Sequence, residues 1–242
     1  MSSVAALWRH PIKSHGRETL DHVSLTAGRT MPWDRRWAVA HELSKADSTA
    51  WSPCAAFNRG SKVASLMAID AVADEAANTV TLRHPQRPDL CINPDQDEQE
   101  FLDWVRPLMP ENRAQSTRLV RVPDRGMTDT DYPSVSLLNL ASNAEVSDAL
   151  GQDLSIRRWR GNIVMDDVPA WTEFDWIGRK LRIGTTELEV RERIERCMAT
   201  TANPDTGERD ADTLGTLNKT FGHQDFGIYA IVTKSGSISI GD

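Results

Sequence analysis

Period-two patterns recur in short stretches at Val4 to Trp8, Arg36 to Ala40, Thr79 to Leu82, Lys180 to Ile183, Glu187 to Val190 and Gly227 to Val232, with polar residues alternating most clearly at Thr79, Lys180 and Glu187. A period of two puts successive side chains on opposite faces, so each stretch, bounded by turn residues, predicts a strand. Helical spacing appears around Gln99 to Arg106 and around Ser142 to Leu150, the latter stopped by Gly151. The expected fold is therefore mainly β with some α, an α+β architecture. From Arg106 to Asn112, and again from Pro123 to Pro133, prolines and charges replace the periodicity. The expected division lies there, near Gln115, giving units 1–114 and 115–242. No repeat of fixed period and no low-complexity segment is visible.

Composition narrows the function more than the fold. A chain of 242 residues with 39% hydrophobic and 26% charged residues is an ordinary globular protein with room for a sizeable core. Its net charge of -7 argues against a nucleic-acid partner, because displacing counterions from phosphates takes a surplus of Lys and Arg. The longest apolar stretches, such as Ile228 to Val232, fall far short of the roughly 18 to 20 residues that cross a bilayer. At the N-terminus, Trp8-Arg9-His10 interrupts the apolar residues before a signal peptide's core can form. The expectation is a cytoplasmic protein with no membrane partner. Cys54, Cys91 and Cys197 are odd in number and widely spaced, which excludes a disulfide framework, a CxxC metal site and a cluster with four Cys ligands.

Nucleotide chemistry lacks its residues as well. Gly60-Ser61-Lys62 has no upstream glycine of a phosphate loop, and no G-x-G-x-x-G follows a strand. The six histidines are scattered, so His15 and His223 are read as structural. The informative segment is Glu195-Arg196-Cys197-Met198-Ala199-Thr200-Thr201, followed by Asn203-Pro204-Asp205-Thr206-Gly207-Glu208-Arg209-Asp210. Arg196 and Arg193 near Cys197 form a setting that favours thiolate, the donor a soft redox metal selects. Pro204 to Gly207 predicts a rigid turn. From these residues alone two readings stand: a metal ligand, or a buried cysteine at a strand end before a surface turn.

The run of Arg196, Cys197, Thr200, Pro204, Thr206, Gly207 and Arg209, then Phe226-Gly227-Ile228-Tyr229-Ala230 and Gly241-Asp242, resembles the signature of the MOSC domain family. His10-Pro11-Ile12-Lys13-Ser14 and Asp34-Arg35-Arg36-Trp37-Ala38-Val39 resemble motifs of the β-barrel domain that precedes MOSC in the group containing the mitochondrial amidoxime-reducing component and its bacterial relatives. Arg158-Trp159-Arg160-Gly161-Asn162-Ile163-Val164 resembles the family's Arg-x-Asn-Ile-Val segment. The order is the family's, over nearly the whole chain.

The resemblance implies an N-terminal β-barrel-like domain, a MOSC β-barrel domain and a molybdenum–pterin (molybdopterin type) cofactor. It makes Cys197 the metal ligand and catalytic residue, and it implies cofactor contacts from Lys13, Ser14, Arg35, Ser142, Arg160, Asn162, Arg196 and Thr200. Arginine's planar fork of donors suits the cofactor's phosphate oxygens. Gly161 stands where the family often has Pro, which predicts a looser backbone there. Relatives usually continue past Gly241-Asp242 into a further strand, so the resemblance implies either a C-terminal barrel that lacks that closing strand or a chain shortened at its C-terminus. The implied activity is reduction of N-hydroxylated small molecules with electrons from a separate donor protein, since neither a ferredoxin-like domain nor a nicotinamide or flavin fingerprint is present. The other reading is a cofactor carrier without turnover. A sulfurase is set aside, because no pyridoxal-phosphate domain is present.

Overall fold

The computed structural model describes residues 2–242. In chain order its elements are β1 (Ser3–Arg9), β2 (Glu18–Leu20), β3 (His22–Leu25), β4 (Ala38–His41), β5 (Asp70–Asp74), β6 (Thr79–His84), β7 (Arg87–Ile92), α1 (Glu98–Val105), β8 (Ser116–Val120), β9 (Val135–Asn139), α2 (Leu140–Leu150), β10 (Ile163–Asp166), β11 (Lys180–Ile183), β12 (Thr186–Glu195), α3 (Thr213–Thr216), β13 (Asp225–Lys234) and β14 (Gly236–Ser239). The six alternating stretches fall in β1, β4, β6, β11, β12 and β13, and the two helical ones in α1 and α2. The fold is α+β with strands dominant, as the periodicity predicts. Asn139 caps α2 by accepting from the Ala141 amide, and Gly151 ends the helix at φ 69°, where a glycine carries no Cβ penalty.

The largest sheet runs β11-β12-β13-β9-β10-β1-β2, antiparallel except for the β9–β10 pair. Smaller sheets are β5-β6-β7, β4-β8 and β3-β14. Gln115 lies between α1 and β8, and strand pairing crosses it three times: β8 pairs with β4, β1 with β10 and β14 with β3. β9 escapes the period-two pattern because all five of its residues are buried. Val135 and Leu137 join a core with Leu7, Ile163, Val190 and Ile228, whereas Leu138 packs on the other face with Val146 of α2. A strand covered on both faces has no polar side to alternate with.

The N-terminal core gathers Ile12, Trp37, Leu66, Val80, Leu82 and the buried face of α1, Phe101 and Val105 among it. On it rests the tight turn Ile12 to His15, closed by the His15 amide donating to the Ile12 carbonyl at 2.9 Å. The His15 ring is wholly buried, edge-on to Phe101 at 5.6 Å, with Nδ1 2.8 Å from the Lys13 carbonyl oxygen. Burial pushes this imidazole down from 6.5 to about 4. Between those values the unfolded chain binds the extra proton, so this contribution to stability is complete above pH 6.5 and is lost as pH falls through 4. The loss amounts to about 3 kcal/mol. His15→Gln, which gains no charge, is expected to flatten the acid limb of urea-unfolding midpoints measured from pH 7.5 to 4.5; parallel limbs would refute it.

Candidate functional site

One face of the large sheet supplies the floor of a cleft through Ser136 of β9, Ile194 of β12 and Tyr229 of β13. Its walls are loops after β1 (Lys13 and Ser14), before β4 (Arg35), before β10 (Arg158 to Arg160), after β12 (Arg196, Cys197, Ala199 and Thr200) and between β4 and β5 (Cys54, Arg59 to Ser61). Seven residues implied by the family resemblance thus meet in one place: Lys13, Ser14, Arg35, Arg160, Arg196, Cys197 and Thr200. Ser14, Arg35 and Arg160 have φ of 63°, 47° and 50°. Left-handed backbone at residues other than glycine is uncommon and costs free energy, so three instances around one cleft mark loops held by their surroundings.

The cations differ in what neutralises them. Arg35 is fixed by buried Asp34, and its Nη2 donates to the Arg160 carbonyl at 2.7 Å. Asp34 also accepts from the His10 amide at 2.9 Å; desolvation would raise this carboxyl, but Arg35 and His10 hold it well below the usual carboxylate range. Among the described residues Arg160 has no carboxylate partner: Nη2 donates to the Gly16 carbonyl at 3.0 Å, and Nη1 is buried without any partner. Burial, then Arg35 and Arg17, push Arg160 down to about 9. A guanidinium keeps its proton in proteins, so the depression records a buried charge that an anion would relieve. Arg196 gives its N–H groups to the carbonyls of Phe226 and Trp159, and burial pushes it down to about 10. It contributes positive field beneath the cleft and pins the chain before Cys197.

Cys197 is exposed, which overturns the buried alternative of the sequence reading. It follows β12 and leads into a short 3-10 turn at Met198–Thr201. Thr200, 3% exposed, donates from Oγ1 to the Cys197 carbonyl at 3.1 Å and accepts from Thr213 Oγ1 at 2.7 Å, so it positions the cysteine's backbone. The expected turn forms beyond it: Asn203 Oδ1 accepts from the Asp205 amide at 2.8 Å, and Gly207 has φ 75°. A Cβ on Gly207 would lie 2.6 Å from Ser65 Cα, so this glycine lets the loop lean on the N-terminal half. Arg193 is engaged elsewhere, over the Phe174 ring at 4.3 Å and near Asp225.

Two implied contacts lie outside the cleft. Ser142 is buried on α2, donating to Glu173 at 2.7 Å and accepting from the Trp171 amide at 2.9 Å. Asn162 stands behind the cleft: its Oδ1 accepts from Ser136 Oγ at 2.8 Å and from Arg35 at 3.4 Å, while Nδ2 reaches the Trp8 carbonyl at 3.2 Å. It braces Arg35. Gly161 is no loosened link either, since a Cβ there would meet Leu138 Cγ at 2.3 Å; close packing requires the glycine.

The cleft adds Asp129, Arg158, Arg59, Cys54 and Tyr229. Tyr229 was legible: Ile228 and Ala230 enter the sheet core, so the residue between them points to the opposite face. Asp129 lies in the Pro123 to Pro133 interval, where no periodicity marks it. Among the described residues no group of three or more His, Cys, Asp and Glu side chains is arranged to hold a metal. No helix among them is long and apolar enough to cross a membrane.

Comparison with protein families matches residues 1–104 to the MOSC N-terminal beta barrel domain and residues 124–242 to the MOSC domain. Among curated proteins, the chain is 33% identical to mitochondrial amidoxime-reducing component 1 of Danio rerio over 120 residues, covering 46% of this chain and 36% of that protein. It is 34% identical to mitochondrial amidoxime reducing component 2 of Bos taurus over 125 residues, again 46% of this chain and 36% of the relative. It is 29% identical to molybdenum cofactor sulfurase of Anopheles gambiae over 127 residues, 48% of this chain and 16% of that protein. The chain therefore matches little more than a third of the length of its amidoxime-reducing relatives. The solved structure of the YUAD protein from Bacillus subtilis superposes with a TM-score of 0.47 at 12% identity, over 100% of this chain and 93% of that one, too loosely to carry an argument.

Proposed function

The chain belongs to the MOSC domain family, and from that premise we propose that its cleft holds a molybdenum–pterin cofactor, with the Cys197 thiolate as the protein's ligand to the metal. The observation that carries this reading is the meeting of exposed Cys197 with Lys13, Arg35, Arg160 and Arg196, one of which, Arg160, keeps a buried N–H without a partner. The donor set fits. A metal held by one protein thiolate has to bring its other ligands with it, which a metal–pterin does, and the unneutralised guanidinium suits the group's anionic end. On this reading residues 1–114 and 115–242 are two parts of one site, since Lys13 and Arg35 come from the first and Arg160 and Cys197 from the second.

When bound, the group supplies redox chemistry that cleaves an N–O bond or moves an oxygen atom. The chain supplies placement and hydrogen-bond donors. Arg160 and Lys13 would hold the group's phosphate end, Arg35 braces the Arg160 carbonyl, and Thr200 fixes the backbone that aims Cys197. Burial, then Asp129, push the Tyr229 hydroxyl above its usual range, so Tyr229 Oη keeps its proton in the cleft at neutral pH and is a hydrogen-bond donor there. The activity we propose is reduction of N-hydroxylated small molecules with electrons from a separate protein, in line with the names of the amidoxime-reducing relatives. A carrier role without turnover is the second reading, favoured by the match to molybdenum cofactor sulfurase.

Protein made in a host that synthesises the cofactor is expected to contain molybdenum and a fluorescent oxidised pterin in amounts stoichiometric with the chain. It should reduce N-hydroxylated bases or amidoximes with dithionite or reduced viologen and fail with NADH alone. Absence of both metal and pterin would sink the cofactor reading; their presence without dithionite-driven turnover would leave the carrier.

A further inference from the structure

We propose that Asp129 is a displaceable counter-ion for Lys13, neutralising the ammonium in the absence of ligand and yielding it to an incoming oxyanion, so that it limits how tightly the cleft holds an anionic ligand. The inference rests on the reading of the cleft as the seat of the cofactor's phosphate end. Lys13 is only 4% exposed, and its Nζ donates to the Met127 carbonyl at 2.7 Å and to Asp129 Oδ1. A buried ammonium requires an anionic or hydrogen-bonding partner, because desolvation without one is costly. Asp129 meets that requirement from the rim, with its side chain 52% exposed.

The surroundings single out this contact as the one able to open. Asp34, which neutralises Arg35, has a fully buried side chain and is bonded by the His10 amide as well. Asp210, paired with Arg158, is 31% exposed and also accepts from Asn203 Nδ2 at 2.8 Å. Arg196 is held by backbone carbonyls, which cannot leave. The backbone following Asp129 is anchored: Arg125 donates to the carbonyls of Thr130 and Asp131 at 3.0 and 2.8 Å, and Thr130 Oγ1 lies 2.7 Å from Ser134 Oγ. Loop displacement is thus resisted, and side-chain rotation into solvent is the available motion. Partial desolvation would raise the Asp129 carboxyl, but Lys13, Arg35 and Arg196 outweigh it and hold it at about 2, so it is a full negative charge at any working pH. A phosphate oxygen reaching Lys13 meets that charge as a competitor.

Two opposite effects of Asp129→Asn follow. Without ligand the variant leaves Lys13 buried with a weaker partner, so its Tm falls below wild type; with ligand bound, the oxyanion takes over and the gap closes. Affinity moves the other way, tightening by about ten-fold or more, the worth of one charge-assisted bond no longer lost on binding. The probe is inorganic pyrophosphate, titrated calorimetrically into protein made in a host that cannot synthesise the pterin, with Tm recorded with and without it. In a Lys13→Met background most of the gain from Asp129→Asn should vanish. Binding to wild type that is unchanged or weakened by Asp129→Asn, or a gain fully retained without Lys13, would overturn the counter-ion while leaving the anion cleft standing. If pyrophosphate binds neither wild type nor Asp129→Asn, both the cleft reading and this inference fall.

Discussion

Cys197→Ser is expected to lower dithionite-driven reduction of an N-hydroxylated substrate by more than about 100-fold, because even changes to the partners of metal ligands commonly cost 10- to 100-fold. Serine keeps the size and nearly the shape of the side chain but replaces a soft donor by a hard one. Fold and stability should be preserved, since Cys197 is exposed and its loop is held by Thr200, Arg196 and Arg209. The sharpest control is Cys54→Ser. Cys54 lines the same cleft with Arg59 Nη1 at 3.2 Å from its Sγ, so the two thiols share a compartment and differ in what they are asked to do. Cys91 sits exposed on β7, remote in the topology from the large sheet. The Mo(V) resonance signal should change in Cys197→Ser alone. An unchanged signal and full turnover in that variant would place the ligand elsewhere, and loss of the signal in Cys54→Ser would point to the other thiol.

The sequence carries strands that bury one face and the site's charged corners, and it loses whatever depends on three-dimensional closure. Alternation finds β12 and β13 because each has a wet side, whereas β9, at the heart of the sheet, is silent because both faces are dry. The same logic governs the site. Lys13, Arg35, Arg160 and Cys197 sit in recognisable runs and meet as the family order implies. Asn162 and Ser142 sit in such runs too, yet each spends its polar atoms on buried neighbours, Ser136 with Trp8 and Glu173 with Trp171. Motif membership does not say whether a polar atom faces the cleft or the scaffold behind it. Asp129 has neither periodicity nor motif to mark it, and only the path of the loop before β9 brings it to Lys13. Gly161 reads as slack in one dimension and as a tight contact with Leu138 in three.

Among the clamp residues, Arg160→Ala is expected to weaken cofactor retention most, by about ten-fold or more for the loss of bonds worth roughly 1.5 to 3 kcal/mol each. Of these three, Arg160 is the one with a buried N–H unspent, whereas Arg35 already gives its fork to Asp34 and the Arg160 carbonyl, and Lys13 to Met127 and Asp129. Lys13→Ala and Arg35→Ala should therefore follow with smaller losses, the latter acting partly by releasing the Arg160 backbone. Arg160→Lys should rescue poorly, because a point charge lacks the planar fork. Stability separates this role from a structural one. Arg160 is buried beside Arg35 and Arg17 with no carboxylate partner among the described residues, so removing it from the cofactor-free protein relieves repulsion and should leave the urea midpoint unchanged or raised. A structural arginine would instead lower stability and retention together. Cofactor content after gel filtration and urea midpoints of cofactor-free protein should be measured side by side, with Arg83→Ala, exposed and paired only with Asp89, as the control. Retention in Arg160→Ala equal to that control, or a lowered midpoint with loss of cofactor in proportion, would refute the clamp.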